Sequence, residues 1–330
     1  MNENTEKIYR DKLKKLLNRY ILKSRQFCDK YCHSDGLTDI LICIVEYGNI
    51  PKDILYSNKL SDDFDYFIFT KSTKTLHAIR TLFNDKNYHF NEDVLILTRS
   101  IFEGHLASRY FREHIDDAKD REKVINEFIR SPIGLITDYY FQKRNIVKDK
   151  SGRKISEFKG PSRLKKGTDE EYYYEFYPFL CKFTHNSFGI LKYYFDGAFF
   201  LYNKSNFNLE TLLFAIFSFS KVFEGIATVW GENFYSSKEE KSYYDLAYDS
   251  IELQIEIFDY LINKYNNITI DQIDWIIQLY LCEGNPEGKN NKIAEMLSKM
   301  KKSLYEEIGS LKKDKIDESG KFIRQYPVWD

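Results

Sequence analysis

Glycine and proline are scarce in this sequence. The 330 residues include 15 glycines and six prolines, about half the combined ~12% of an ordinary globular chain. So few chain-breakers exclude a turn-rich β sandwich or barrel and favour long helices. Cysteine is sparse and odd in number: Cys28, Cys32, Cys43, Cys181 and Cys282 show no framework spacing, so reduced thiols are expected. Cys28, Cys32 and His33 are close enough for a metal, but no second ligand pair follows, and structural zinc takes four ligands. Helix-face packing is the expectation there, with no metal and no cofactor.

Charge of one sign is lacking too. Lys and Arg number 49 against 50 Asp and Glu, so no global field draws the chain to nucleic acid or an anionic membrane. Any polyanion site must be local. The most apolar stretches, Asp39–Val45 and Leu212–Phe217, fall far short of the ~20 residues that cross a bilayer. Met1 to Lys12 is polar and charged, unlike a secretory signal. The expectation is a cytoplasmic protein without a membrane partner. Also missing are the phosphate-binding Gly-rich loop, the dinucleotide fingerprint, the Gly-x-Ser-x-Gly elbow and His-Glu-x-x-His. ATPase, dinucleotide oxidoreductase, α/β-hydrolase and zincin chemistries are thereby set aside.

What the chain does hold is aromatic rings, 26 Tyr, 26 Phe and three Trp, and apolar residues at helical spacing. The spacing predicts helices over Thr5–Cys32, Leu37–Tyr47, 63–88, Asn91 to about His114, Glu170–Phe195, Leu209–Phe234, Lys238–Tyr265, Ile270–Cys282 and Asn291–Lys313. Gly197–Tyr202 is the best strand candidate in an otherwise all-α reading. No fixed-period repeat points to a solenoid. The expected organisation is a multi-helix bundle, with an N-terminal helical region at 1–60, a core at 61–235 and a C-terminal helical region at 236–330. Asp62, Asp63 and Asp65 read as an N-terminal cap of the helix that follows them.

Two basic features stand out. The first helix carries nine Lys/Arg against Glu6, Asp11 and Asp29, which reads first as a solvated face and second as an RNA contact. Lys143–Lys166 holds ten basic and two acidic residues broken by Gly152, Ser156, Gly160, Pro161 and Ser162, so a flexible loop is expected. Lys148, Lys150, Arg153 and Lys154 are its candidate phosphate contacts, each neutralised phosphate steepening the salt dependence of binding.

Chemistry concentrates in residues 94–111. Arg99 and Glu103 stand i,i+4 and so share a helix face, continued by the apolar Ile96, Leu106 and Tyr110. Charges set in an apolar stripe need a reason, since an unpaired buried charge costs several kcal/mol. One reading is a bridge that fixes helix packing. The other adds a histidine, because imidazole exchanges protons near neutrality whereas guanidinium does not. His105 follows Arg99 by six residues, and His114 follows Arg109 by five. A base beside a charge-stabilising arginine is a sensible kit for cleaving RNA without metal.

An all-helical context with Arg followed closely by His resembles the HEPN superfamily of helical nucleases and nucleotide-binding domains. More closely, Leu97-Thr98-Arg99-Ser100-Ile101-Phe102-Glu103, with Thr75–Phe83 before it and Tyr177 and Phe183-Thr184-His185-Asn186-Ser187 after it, is similar to a bacterial all-helical family. That family has an Arg-Ser-x-x-Glu helix and a downstream Tyr-to-His segment. The likeness covers about residues 60–235 and leaves both terminal regions outside. HEPN ribonucleases usually place Asn, Asp or His directly after the Arg, whereas here Ser100 follows Arg99 and Tyr110 follows Arg109.

The resemblance implies a metal-independent endoribonuclease acting as an antiphage-defence or toxin effector. Its catalytic set would be Arg99, Glu103 and His185, with His105 added by spacing, and Arg109 and His114 as the alternative pair. RNA, a second copy of the chain or a companion defence protein would be its partners. The alternative is a non-catalytic helical scaffold or sensor subunit of a defence complex.

Overall fold

The computed structural model describes residues 3–47, 59–85, 89–115, 120–121, 124, 127–128, 140–142, 146–148, 151–152, 154–157, 170–185, 194, 199–201, 207–227, 236–267 and 292–312. Eight helices occur among them: α1 (Glu3–Tyr31), α2 (Asp35–Tyr47), α3 (Lys59–Phe83), α4 (Asn91–Ile115), α5 (Glu170–Thr184), α6 (Asn208–Ala227), α7 (Ser237–Asn266) and α8 (Lys292–Lys312). Between α4 and α5 lie β1 (Tyr140–Gln142), β2 (Ile146–Lys148) and β3 (Lys154–Glu157). The protein is an all-α multi-helix bundle with this small ribbon added. The helix expected over Ile270–Cys282 lies outside the described residues.

Apolar side chains surround almost the whole circumference of α6, so it is stable only with neighbours on every side. It has them: α6 packs against α1, α3, α4, α7 and α8. Leu212, Leu213, Ile216, Phe217, Phe219 and Phe223 are fully buried at its surface. Side chains from α1 through α8 contribute to one continuous core around it. Much of that core is aromatic and meets edge to face, the geometry that ring quadrupoles favour. Tyr20 meets Phe223 at 4.9 Å and 72°, and Phe102 meets Phe176 at 5.2 Å and 76°.

α4 packs along α6, α3 and α5. Its contact with α3 is close because Gly104 carries no side chain: a Cβ there would come within 3.1 Å of Ile68 Cγ2. The three aspartates work differently from the expected cap. α3 begins at Lys59, ahead of all three, so they lie inside it. Asp63 instead accepts the Leu37 backbone N–H at 2.5 Å, filling an orphan donor in the first turn of α2. Asp65 reaches across to Ser108 and Arg112 of α4.

Part of the basic segment 143–166 departs from the irregular loop that its glycines and serines implied. β1, β2 and β3 form an antiparallel ribbon in that order, with Phe141 opposite Val147 and Val147 opposite Ser156. The short runs Tyr140-Phe141 and Ile146-Val147 supply β-favouring residues, and Gly152 takes φ +80° in the turn before β3, a conformation that suits glycine. Lys148 and Lys154 stand directly opposite in the register. Lys150 and Arg153 lie outside the described residues. No helix among the described residues is long and apolar enough to cross a membrane.

Candidate functional site

The Arg99 guanidinium is held by side chains from two helices. Its Nε donates to Glu103 Oε1 at 2.7 Å, which is the i,i+4 pair that the spacing predicts. One terminal nitrogen donates to the Tyr177 hydroxyl at 3.2 Å, and the other donates to Thr184 Oγ1. Tyr177 in turn donates to Glu103 Oε1 at 2.8 Å, and Thr184 donates to the Cys181 carbonyl at 2.9 Å. The four side chains thus form a closed hydrogen-bonded cluster that ties α4 to α5.

Helix geometry explains how α5 supplies both partners. Tyr173, Tyr177, Cys181 and Thr184 are spaced by four, four and three residues and so lie along one face. The rings of Tyr173 and Tyr177 stack at 5.1 Å and 11°, fixing the phenol that the guanidinium also overlies at 5.4 Å. Pro178 sits inside α5 immediately after Tyr177. It has no N–H to give to the helix.

The site is partly open to solvent. The Arg99 and Glu103 side chains keep 21% and 30% of their surface accessible, so the pair is neither dry nor fully solvated. Burial alone would loosen the proton on Arg99, but the adjacent Glu103 carboxylate outweighs it and holds the cation. Burial and the bond to Glu103 push the Tyr177 phenol far above its usual range, so it remains a neutral donor. Burial likewise raises the Cys181 thiol. Guanidinium carries five N–H groups, of which three are engaged here.

Histidines take different places. His185 is exposed at the end of α5, directly after Thr184. His105 lies six residues beyond Arg99, about 120° around α4 from it. Its ring sits beside Phe102, at 6.1 Å, with Nε2 buried. Ile96 is exposed rather than part of a buried stripe, whereas Leu106 and Tyr110 are buried as expected.

Arg109 and His114 do not meet as a pair. Arg109 donates to Glu113 at 3.2 Å, while the buried His114 donates Nδ1–H to the Tyr110 carbonyl at 2.9 Å and stacks on the Tyr110 ring at 4.1 Å. Five residues turn a helix about 140° from alignment, which accounts for their separation.

Cys28 lies in the last turns of α1 and Cys32 just past its end, both half-buried, with Cys28 Sγ 3.5 Å from Thr70 Oγ1. Hydrogen bonding between the thiols pulls Cys28 down to about 7 and pushes Cys32 up. His33 turns its Nε2–H to the Lys30 carbonyl. No group of three or more His, Cys, Asp or Glu side chains that could hold a metal occurs among the described residues.

Thr184 is the member of the Arg99 cluster that was not among the candidate site residues, although the segment Phe183–Ser187 that carries the likeness contains it. Its seven-residue offset from Tyr177, about two helical turns, is the signal that could have found it. No protein-family model, curated protein or solved structure matches the chain.

Proposed function

We propose that the protein is a metal-independent endoribonuclease and that the HEPN resemblance extends to a role as a bacterial antiphage-defence or toxin effector, working as a homodimer. The observation that carries the catalytic reading is the Arg99 guanidinium, oriented by Glu103, Tyr177 and Thr184 at a partly exposed position, with the exposed His185 next to Thr184 in the chain. A cation held in advance at the surface can receive a phosphate without reorganising, which is where electrostatic catalysis gains most. Its two remaining N–H groups are the donors for phosphate oxygens.

In this reading the exposed His185 takes the 2′-hydroxyl proton as that oxygen attacks phosphorus. The bond to the 5′-oxygen breaks, solvent supplies the leaving oxygen's proton, and a 2′,3′-cyclic phosphate and a 5′-hydroxyl result. Arg99 balances charge on the phosphorus oxygens. Glu103 and Tyr177 position Arg99 and take no proton from substrate. Lys148, Lys150, Arg153 and Lys154 supply the flanking phosphate contacts.

A second reading follows from the same bonds. A cluster closed on itself across α4 and α5 is also what a purely structural clamp looks like, as a helical scaffold or sensor would need. Cleavage of RNA in EDTA, with 2′,3′-cyclic phosphate ends on the products, separates the two. Under the nuclease reading, Arg99→Ala and His185→Ala stay folded and lose cleavage, by about 100-fold or more for a missing charge-stabilising donor or base. Undiminished cleavage by folded His185→Ala removes the base assignment. Cleavage that stops in EDTA rejects the metal-free route, and absence of cleavage by the wild type leaves the clamp.

A further inference from the structure

We infer that a cavity of about 250 Å³ between α1, the end of α3 and the starts of α4 and α6 is a binding site for a nucleoside 5′-monophosphate. The inference is independent of RNA cleavage at Arg99. Arg10 and Lys14 stand on one wall, i,i+4 on α1 and half-buried. Among the described residues neither has an ion pair or hydrogen bond to the protein. Two like charges at this spacing repel each other, so the helix carries a small penalty that a bound anion would relieve.

The acid one turn before Arg10 is engaged elsewhere: Glu6 is bound 2.7 Å from Lys264 Nζ. A pair of cationic donors is therefore presented to the cavity, as a phosphate requires. Opposite chemistry lines the rest: Phe83 and Phe90 give an aromatic wall on which a base can lie, and ring stacking accepts any base.

Asn208 and His89, themselves 3.3 Å apart, add an amide and an imidazole of the kind that pair with a base edge. Asp85 supplies a carboxylate of the type that accepts from ribose hydroxyls. The volume of about 250 Å³ is on the scale of one nucleoside, whose phosphate would meet the Arg10 and Lys14 wall. An apolar floor with a few convergent polar groups is the usual makeup of a small-molecule site.

Titration calorimetry of the full chain with AMP, GMP, CMP and UMP tests this, with adenosine and inorganic phosphate as the two halves of the ligand. At least one monophosphate should bind at one per chain, and both halves should bind more weakly by roughly tenfold or more. The double variant Arg10→Glu, Lys14→Glu should lose a similar factor, while Lys15→Glu, exposed on the same helix, should bind as wild type. Circular dichroism checks that the double variant is folded. If it is not, hydrogen exchange on the wild type decides: nucleotide-dependent protection at His89–Val94 supports the site, and protection confined elsewhere overturns it. No binding by any monophosphate, equal binding by inorganic phosphate or adenosine, or unchanged affinity in the folded double variant would also overturn it.

Discussion

Tyr177 gives its phenolic hydrogen to Glu103 across the α4–α5 contact, at 2.8 Å, while taking one from Arg99. The hydroxyl therefore satisfies a carboxylate and a guanidinium at once. Tyr177→Phe keeps the ring stacked on Tyr173 but leaves both charged partners short of a bond. The expected cost is about 1–3 kcal/mol, the usual penalty for stranding a partly buried polar group. Thermal unfolding should show a lowered Tm, and a variant as stable as wild type would mean that the cluster holds nothing together.

Stability should fall as pH rises from about 4.5 to about 7, and Glu92 should cause part of the fall. This carboxyl is buried in the first turn of α4, and burial pushes its pKa from the ordinary 4.5 up to about 7. The folded state then binds more protons than the unfolded state between those values. Its stabilising contribution is fully present below about pH 4.5 and is lost as pH climbs toward 7, with an upper bound of about 3 kcal/mol. Glu92→Gln, which stays neutral, should flatten that segment of the pH profile. Denaturant unfolding at pH 5 and pH 8, wild type against variant, measures it, and identical slopes would reject the assignment.

Asp63 belongs functionally to a helix other than its own. Since its carboxylate caps the first turn of α2, Asp63→Ala should cost about 0.5–2 kcal/mol. The loss should appear as faster hydrogen exchange at the Leu37 amide, with α3 amides little changed. Loosening confined to α3 would show that the aspartate serves its own helix.

Local periodicity made most helices legible. α4 and α7 were predicted to within a residue or so at each end, because their apolar residues recur every three or four positions and their starts are marked by polar residues. The Arg99–Glu103 pair was legible for the same reason, both members lying within one turn. Thr184 was not, since 85 residues separate it from the guanidinium that it accepts from, and no local rule brings them together. The aspartates misled in a similar way. Three carboxylates at a helix start look like a cap to any one-dimensional rule, yet Asp63 and Asp65 find their donors on α2 and α4. The ribbon at β1–β3 was hidden by its own glycines and charges, which resemble a loop until pairing is known.

Pro178 gives the Arg99 cluster a mechanical meaning. A proline within a helix removes one rung of the backbone ladder, so α5 is weakest just where Tyr177 ends and Pro178 begins. Arg99 grips Tyr177 within that weakened turn and Thr184 beyond it. One side chain of α4 therefore splints both halves of α5. A ligand that drew the guanidinium away would release the two halves together, turning a change of hydrogen-bond partner into a change in the helix's stiffness.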